Sequence, residues 1–402
     1  MKMIKPIALT LALVSVAFTS CEDVDSPSNE LRPIELSRGE ADVAKQNCDF
    51  AWDMFSHVNK TSGNAIVSPL SATYALCMAA EGANGTTRDE IYQALGFENC
   101  NNEDVNNYLH KLTTQLTSLD SKTTLHIANS LWHNKEYLFL NEYITNLKTY
   151  YNADVKPLGT NAVKEINNWC SKKTNGYIKN ILQPNDITSL TASVLVNALY
   201  FNSEWKDKFN KDNTFKALFY SYNDNTQVEY MSGSKYSNYV IAETFTMASL
   251  KLGNCAYSVS FILPNTNNTF DECINEIKTK GWNEISNNYQ SAKIHFNIPK
   301  FILEKNLDLK DVFNKMGIKQ AFSNADFSNM TEKYENLIIY QSVQSNCFKI
   351  DEDGATAASI SSNLMIGEGS PIPPFILNRP FLFALTEQST GTILFVGKIE
   401  TL

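Results

Sequence analysis

The stretch Asp351-Glu352-Asp353-Gly354-Ala355-Thr356-Ala357-Ala358-Ser359-Ile360-Ser361-Ser362-Asn363-Leu364-Met365-Ile366-Gly367-Glu368-Gly369-Ser370-Pro371-Ile372-Pro373-Pro374 holds three chemistries in succession. The acidic triplet and Gly354 read as a polar, flexible hinge. Ala355 to Ser362 is a run of small, mostly neutral residues, and Gly367 to Pro374 is a Gly/Pro-rich tip that cannot continue a strand. A permanently exposed loop is usually rich in charge and turn formers. Ala355 to Ile366 nevertheless contains no Lys, Arg, Asp, Glu or Pro. With a period of two, Ala355, Ala357, Ser359, Ser361, Asn363 and Met365 share one face, and Thr356, Ala358, Ile360, Ser362, Leu364 and Ile366 the other. Neither face carries a charge that would block pairing. The plain reading is a Ser/Ala linker between strands; the alternative is a segment able to enter a β-sheet.

The flanks favour the alternative. Phe348-Lys349-Ile350 reads as the end of a strand, and Phe381 to Thr386 and Thr392 to Ile399 read as two strands joined by a Glu387 to Gly391 turn. The Glu352 to Ala358 hinge, with the closing Asn378-Arg379-Pro380-Phe381-Leu382-Phe383 and Leu394-Phe395-Val396-Gly397-Lys398, resembles the serpin family. Further matches follow in the family's order: Asn64-Ala65-Ile66-Val67-Ser68-Pro69-Leu70-Ser71; Asn167 and Trp169 with Thr174 to Ile178; Asn197 to Trp205 followed by Phe209; Pro299-Lys300-Phe301; and Met316-Gly317-Ile318 with Phe322 and Ala325 to Ser328. The resemblance runs from about residue 40 to 402.

The resemblance implies an α+β serpin fold in a single large domain, with a central β-sheet, further sheets, eight to nine helices and an exposed reactive loop over about residues 352–378. It implies that the loop is bait for a serine or cysteine endopeptidase. Once cleaved, the freed segment inserts as a new central strand and drags the acyl-linked protease along. The hinge would be Glu352, Gly354, Ala355, Thr356, Ala357 and Ala358, with Ile360 bulkier than the family's usual small residue. The residues where the central strands part would be Asn64, Ser68, Ser71, Asn197, Trp205 and Gln344; at Gln344, ten residues before Gly354, serpins commonly have histidine. The family's spacing puts the bait at Glu368, whereas counting back from Asn378 gives Gly369, with Leu364, Met365 and Ile366 as further candidates. No Lys or Arg lies between Gly354 and Asn378, so elastase-, chymotrypsin- or subtilisin-like targets are expected over trypsin-like ones. A non-inhibitory serpin serving as a surface binding or structural protein is the alternative.

Residues 1–20 read as a signal peptide: Lys2 and Lys5, an apolar stretch from Pro6 to Phe18, and a small-residue exit before Cys21. That arrangement resembles a bacterial lipoprotein box, so Cys21 is expected to be lipidated and residues 21–38 to form a tether for the 39–402 domain; Phe18, where Leu is usual, leaves ordinary secretion as the alternative. The expected setting is the cell envelope, on the outer membrane facing outward. Removing residues 1–20 moves the net charge from −9 to −11, a balance unsuited to nucleic acid. The expected partners are the protease, as a covalent acyl complex, and the membrane through Cys21; the chain is expected to be a monomer without cofactor or metal.

Seven cysteines follow Cys21, an odd number with no C-x-x-C pair, which argues against a disulfide framework or zinc site and for small buried hydrophobes. His57, His110, His126, His133 and His295 form no ligand spacing, and no nucleophile elbow or P-loop occurs. Gly82 to Thr87 lacks the phosphate-loop lysine and reads as a helix start. Apolar periodicity predicts helices over Gly39 to Asn59, Leu70 to Glu81, Leu95 and the preceding turns from Thr86, Glu142 to Tyr151, Asn161 to Thr174 and Leu309 to Met316. It predicts strands over Thr124 to Trp132, Ser193 to Phe201, Val228 to Met231, Ala248 to Leu252, Tyr257 to Leu263 and Lys293 to Ile302. Helices dominate the first half and strands the second.

Overall fold

A computed structural model describes residues 29–188, 191–222, 224–332, 337–339, 341–355 and 373–402. Ser37 opens α1 (Arg38–Val58) through a reciprocal capping box with Glu40, and the helix buries Val43, Phe50, Met54, Phe55 and Val58. Strand β1 (Ala65–Val67) leads into α2 (Pro69–Gly82), where Ser68 is the cap and Pro69 takes the first turn, the place where a missing N–H costs nothing. Helix α3 (Gly85–Leu95) ends on the left-handed Gly96. The helix starts one residue before the expected Thr86, with Asn84 at the cap position. The Thr87 hydroxyl instead accepts from the Asp326 N–H, and the Glu90 carboxylate from the N–H groups of Lys319 and Gln320.

The chain continues through α4 (Asn102–Gln115), β2 (Thr123–His133), α5 (Asn141–Tyr151), β3 (Asp154–Pro157), α6 (Ala162–Lys173), β4 (Ser193–Glu204), β5 (Phe215–Tyr220), β6 (Asn225–Ile241), β7 (Phe245–Leu252) and β8 (Tyr257–Pro264). Then come α7 (Phe270–Lys280), α8 (Trp282–Asn287), β9 (Gln290–Pro299), β10 (Phe301–Asp308), α9 (Lys310–Lys315), β11 (Val343–Ile350), β12 (Gly354–Ala355), β13 (Phe375–Ile376), β14 (Phe381–Glu387) and β15 (Ile393–Ile399). The architecture is the expected α+β one, with nine α-helices among the described residues. The strand expected over Lys293 to Ile302 breaks at Lys300. Pro299 has no N–H to extend a ladder, and β9 and β10 lie in different sheets.

One large sheet runs β1-β15-β14-β8-β7-β6-β9-β13, with β5 on β6; β14 and β15 are buried at every position. A second sheet, β12-β4-β2-β3, and a third, β10-β11, stand beside each other. Helix α6 crosses one face of β2 and β4, burying Ile166, Trp169 and Cys170 against Ala128, Trp132, Val196 and Ala198. The main core unites α1, α2, α4, α5 and the large sheet. Cys48, Cys77, Cys170 and Cys273 are buried, while Cys100, Cys255 and Cys347 are half-buried; all seven are free thiols.

Candidate functional site

Among the described residues, no backbone ladder joins β4 to β11: β4 pairs with β2 and β12, and β11 with β10. The two strands are the banks of a seam, and Ser68, Ser71, Asn197, Gln344, Trp205, Glu352 and Gly354 gather at two places along it.

Midway, the start of α2 touches both banks. On one side, the Ser71 hydroxyl donates to the Asn197 Oδ1 of β4, and the Asn197 Nδ2 donates to the Asn129 Oδ1 of β2 at 2.7 Å. Asn129 in turn donates to the Tyr151 carbonyl at 2.8 Å. On the other side, the Gln344 amide of β11 grips the Ser68 backbone twice: Oε1 accepts from its N–H at 2.8 Å, and Nε2 donates to its C=O at 2.7 Å. Asn346 Nδ2 then donates to Gln344 Oε1 at 3.0 Å. A planar amide presents a donor and an acceptor side by side, which matches one residue's N–H and C=O. An imidazole, with its nitrogens on opposite flanks of the ring, cannot copy that double contact.

Asn64 does not join this cluster. Its amide caps the chain end instead, accepting from the N–H groups of Glu400 and Thr401 at 2.8 and 3.0 Å and donating to the Thr401 carbonyl at 2.7 Å. Asn129 and Asn346 are the functional candidates that pattern reading passed over. Both are nearly fully buried polar residues inside strands, which is itself the signal that a partner must exist.

At the end of the seam, Trp205 follows β4 directly and is 2% exposed. Its Nε1 donates to the Asp351 carbonyl at 2.8 Å, and its backbone N–H donates to the Asp353 carbonyl at 3.0 Å. The Phe209 N–H takes the Glu352 carbonyl at 3.0 Å. Asp351, Glu352 and Asp353 are all buried, and each meets a lysine: Lys349 at 2.7 Å, Lys300 at 3.2 Å and Lys211 at 2.7 Å. The Thr214 hydroxyl donates to Glu352 at 2.7 Å. Burial pushes the Glu352 carboxyl up, but the Thr214 hydroxyl and the Lys300 ammonium outweigh it and hold the group below its ordinary range. The acidic triplet is therefore an anchored latch, which corrects its reading as a polar, flexible hinge.

Gly354 follows the triplet at φ +141, a backbone conformation that favours glycine. A Cβ there would fall 2.4 Å from the Ser203 carbonyl oxygen and 2.5 Å from the Glu204 Cα, so only glycine lets the backbone lie this close to β4. Gly354 and Ala355 pair antiparallel with Glu204 and Ser203. The remaining hinge residues Thr356, Ala357 and Ala358, the bait candidates Met365, Ile366, Glu368 and Gly369, and Cys21 lie outside the described residues.

The chain matches the family model for Serpin (serine protease inhibitor) over residues 45–402. It is similar to human Serpin B3, at 30% identity over 89% of this chain and 99% of that protein. Its fold is similar to the crystal structure of the thermophilic serpin tengpin in the native state, with a TM-score of 0.83 and 28% identity over 93% of this chain and 97% of that one. It is also similar to human thyroxine-binding globulin complexed with its ligand, with a TM-score of 0.80 and 25% identity over 90% and 99% of the two chains. A family match across most of the sequence, joined to the seam and the β12 pairing, leads to one conclusion: this chain belongs to the serpin family.

Proposed function

We propose that this chain is a suicide inhibitor of serine endopeptidases, with cysteine endopeptidases as secondary targets. The observation that supports it most is the start of loop entry: Gly354 and Ala355 are paired to the last two residues of β4, Glu204 and Ser203, at the mouth of the seam. The next residues, Thr356 to Ser362, carry no charge to oppose continued pairing. A protease nucleophile attacking near Glu368 or Gly369 would form an acyl-enzyme that normally hydrolyses. Insertion that pulls the acyl group off its oxyanion donors would slow that hydrolysis by about 10²- to 10³-fold per donor lost. Trapping is then a race between insertion and deacylation. We assign the bait to the Met365 to Gly369 region, the targets to elastase-, chymotrypsin- or subtilisin-like enzymes, and Cys21 to a lipid anchor on the outer surface of the cell envelope.

The test mixes the protein with elastase-, chymotrypsin-, subtilisin-, trypsin- and papain-like enzymes and reads denaturing gels with fragment mass spectrometry. The expected result is a denaturant-stable adduct and a released peptide that begins between Ile366 and Ser370. In Ala355→Arg, the guanidinium stalls entry and the protein becomes a substrate, cleaved without adduct. Similarity to thyroxine-binding globulin favours a second reading, a non-inhibitory binding protein. Loop cleavage with no adduct for any enzyme would select it.

A further inference from the structure

The turn between β7 and β8 places a thiol against an amine. The Lys206 Nζ donates to the Cys255 Sγ at 3.1 Å. Cys255 sits at φ +83 in a turn closed by its own N–H on the Leu252 carbonyl, and it is half-buried, open to small reagents. The other thiols have different surroundings: Cys48 meets the Gly391 carbonyl, Cys273 the Thr244 carbonyl and Cys347 the Glu304 carboxylate. Among the described residues Cys255 is the cysteine that receives a lysine. The backbone already holds the pair together, through Lys206 N–H to the Lys251 carbonyl at 2.9 Å, Gly253 N–H to the Glu204 carbonyl at 2.8 Å, and a bridge from Trp205 to Leu252.

We propose that Lys206 and Cys255 form an oxidation site that closes into a covalent Nζ–Sγ cross-link, with hydrogen peroxide as the oxidant. The thiolate is the form that attacks peroxide, and the 3.1 Å contact puts Nζ within reach of Sγ once it is oxidised. In the first step the Sγ–O bond forms as the O–O bond breaks; one water leaves and Cys255 becomes a sulfenic acid. Lys206, having given a proton to solvent, then attacks Sγ; the S–N bond forms, the S–O bond breaks and a second water leaves. The thiol and the amine each lose one hydrogen, and one peroxide becomes two waters. Reduction by a dithiol reverses the link. The cross-link lies one residue beyond Trp205, which holds the Asp351 and Asp353 carbonyls, so it ties the β4 bank of the mouth to the β7–β8 turn. Slower loop entry on oxidation follows only if the inhibitory reading holds; the cross-link itself does not depend on it.

The experiment treats the full chain with hydrogen peroxide, digests it without reductant and maps the peptides by mass spectrometry. The expected result is a linked Lys206–Cys255 peptide, about 2 Da lighter than the sum of its parts and released by dithiothreitol. It is absent in Cys255→Ala and in Lys206→Arg, where Cys255 sulfenic acid accumulates and is trapped by dimedone. Unlinked sulfinic or sulfonic acid at Cys255 in the native sequence, or identical oxidation of the native and Lys206→Arg proteins, overturns the proposal. Thermal unfolding of the reduced variants confirms that both are folded. A second arm measures how many inhibitor molecules are consumed per protease trapped; the number should rise on oxidation in the native sequence and stay flat in Lys206→Arg. Absence of any adduct from the reduced native protein would fail the inhibitory reading while leaving the peptide map intact.

Discussion

The seam is held at two places by opposite chemistry. Midway, Ser68, Ser71, Asn197 and Gln344 use neutral amides and hydroxyls. At the mouth, Asp351, Glu352 and Asp353 are buried carboxylates, each countered by a lysine, with Trp205 beneath them. A neutral clamp resists opening equally at all pH values and salt concentrations. A charged one depends on both, because its partners must stay ionised and are screened at their exposed ends. The two clamps therefore divide the work: the middle sets a constant resistance to parting, and the mouth sets a conditional one.

The largest effect is expected at the mouth, from packing and not from charge. Trp205→Ala removes a nearly fully buried indole and the donor on the Asp351 carbonyl, and should cost about 3–5 kcal/mol in chemical denaturation. Next comes Gln344→Ala. It leaves the Ser68 N–H without its partner inside the core and takes one of two donors from the Ser68 C=O, which keeps the Ala72 N–H at 3.1 Å, at about 1–3 kcal/mol. Gln344→His should recover only part of that loss, since one imidazole nitrogen can reach one of the two groups. Full recovery of stability in the histidine variant would show that the double grip on Ser68 carries no energy.

The overall fold was legible because its signals are local. Ser68-Pro69 and Gly96 mark helix ends within a few residues, and the apolar run from Ser193 is the strand it promises to be. Equally local signals over α4 and α7 were there to be read, notably the Thr269 and Glu272 capping box, and pattern reading passed them by. The clamps were half legible. Ser68, Ser71, Asn197 and Gln344 were named, but the partner of Gln344 lies 276 positions away in the chain, so the double contact could not be inferred. Asn64 was placed in the cluster by the family resemblance, yet its amide sits against Glu400 and Thr401 at the chain end. The acidic triplet read as a flexible hinge because its partners are not local. Lys211 and Lys300, which neutralise Asp353 and Glu352, come from distant segments that only the folded chain assembles.

The sharpest separation of the clamps is by acid. Glu352 is held below its ordinary value of 4.5, so its contribution to stability is complete above that pH and fades as pH falls through the folded-state value. Glu352→Gln should destabilise by about 1 kcal/mol at neutral pH, a modest amount because Lys300 is partly exposed. The difference between native and Glu352→Gln proteins should shrink towards zero below pH 4.5, whereas the difference for Gln344→Ala should stay constant over the same range. Urea unfolding of the three proteins between pH 3 and 7 checks this. Parallel pH profiles for the two variants would mean that the mouth is not an ionic latch. The smallest effect belongs to Lys211→Gln: the lysine is largely exposed, so the stability change should vanish in moderate salt even though Asp353 beneath it is buried. A persistent loss in salt would show that Asp353 needs this lysine as well as the backbone contacts at Trp205, and would make charge, not the indole, the main fastening of the mouth.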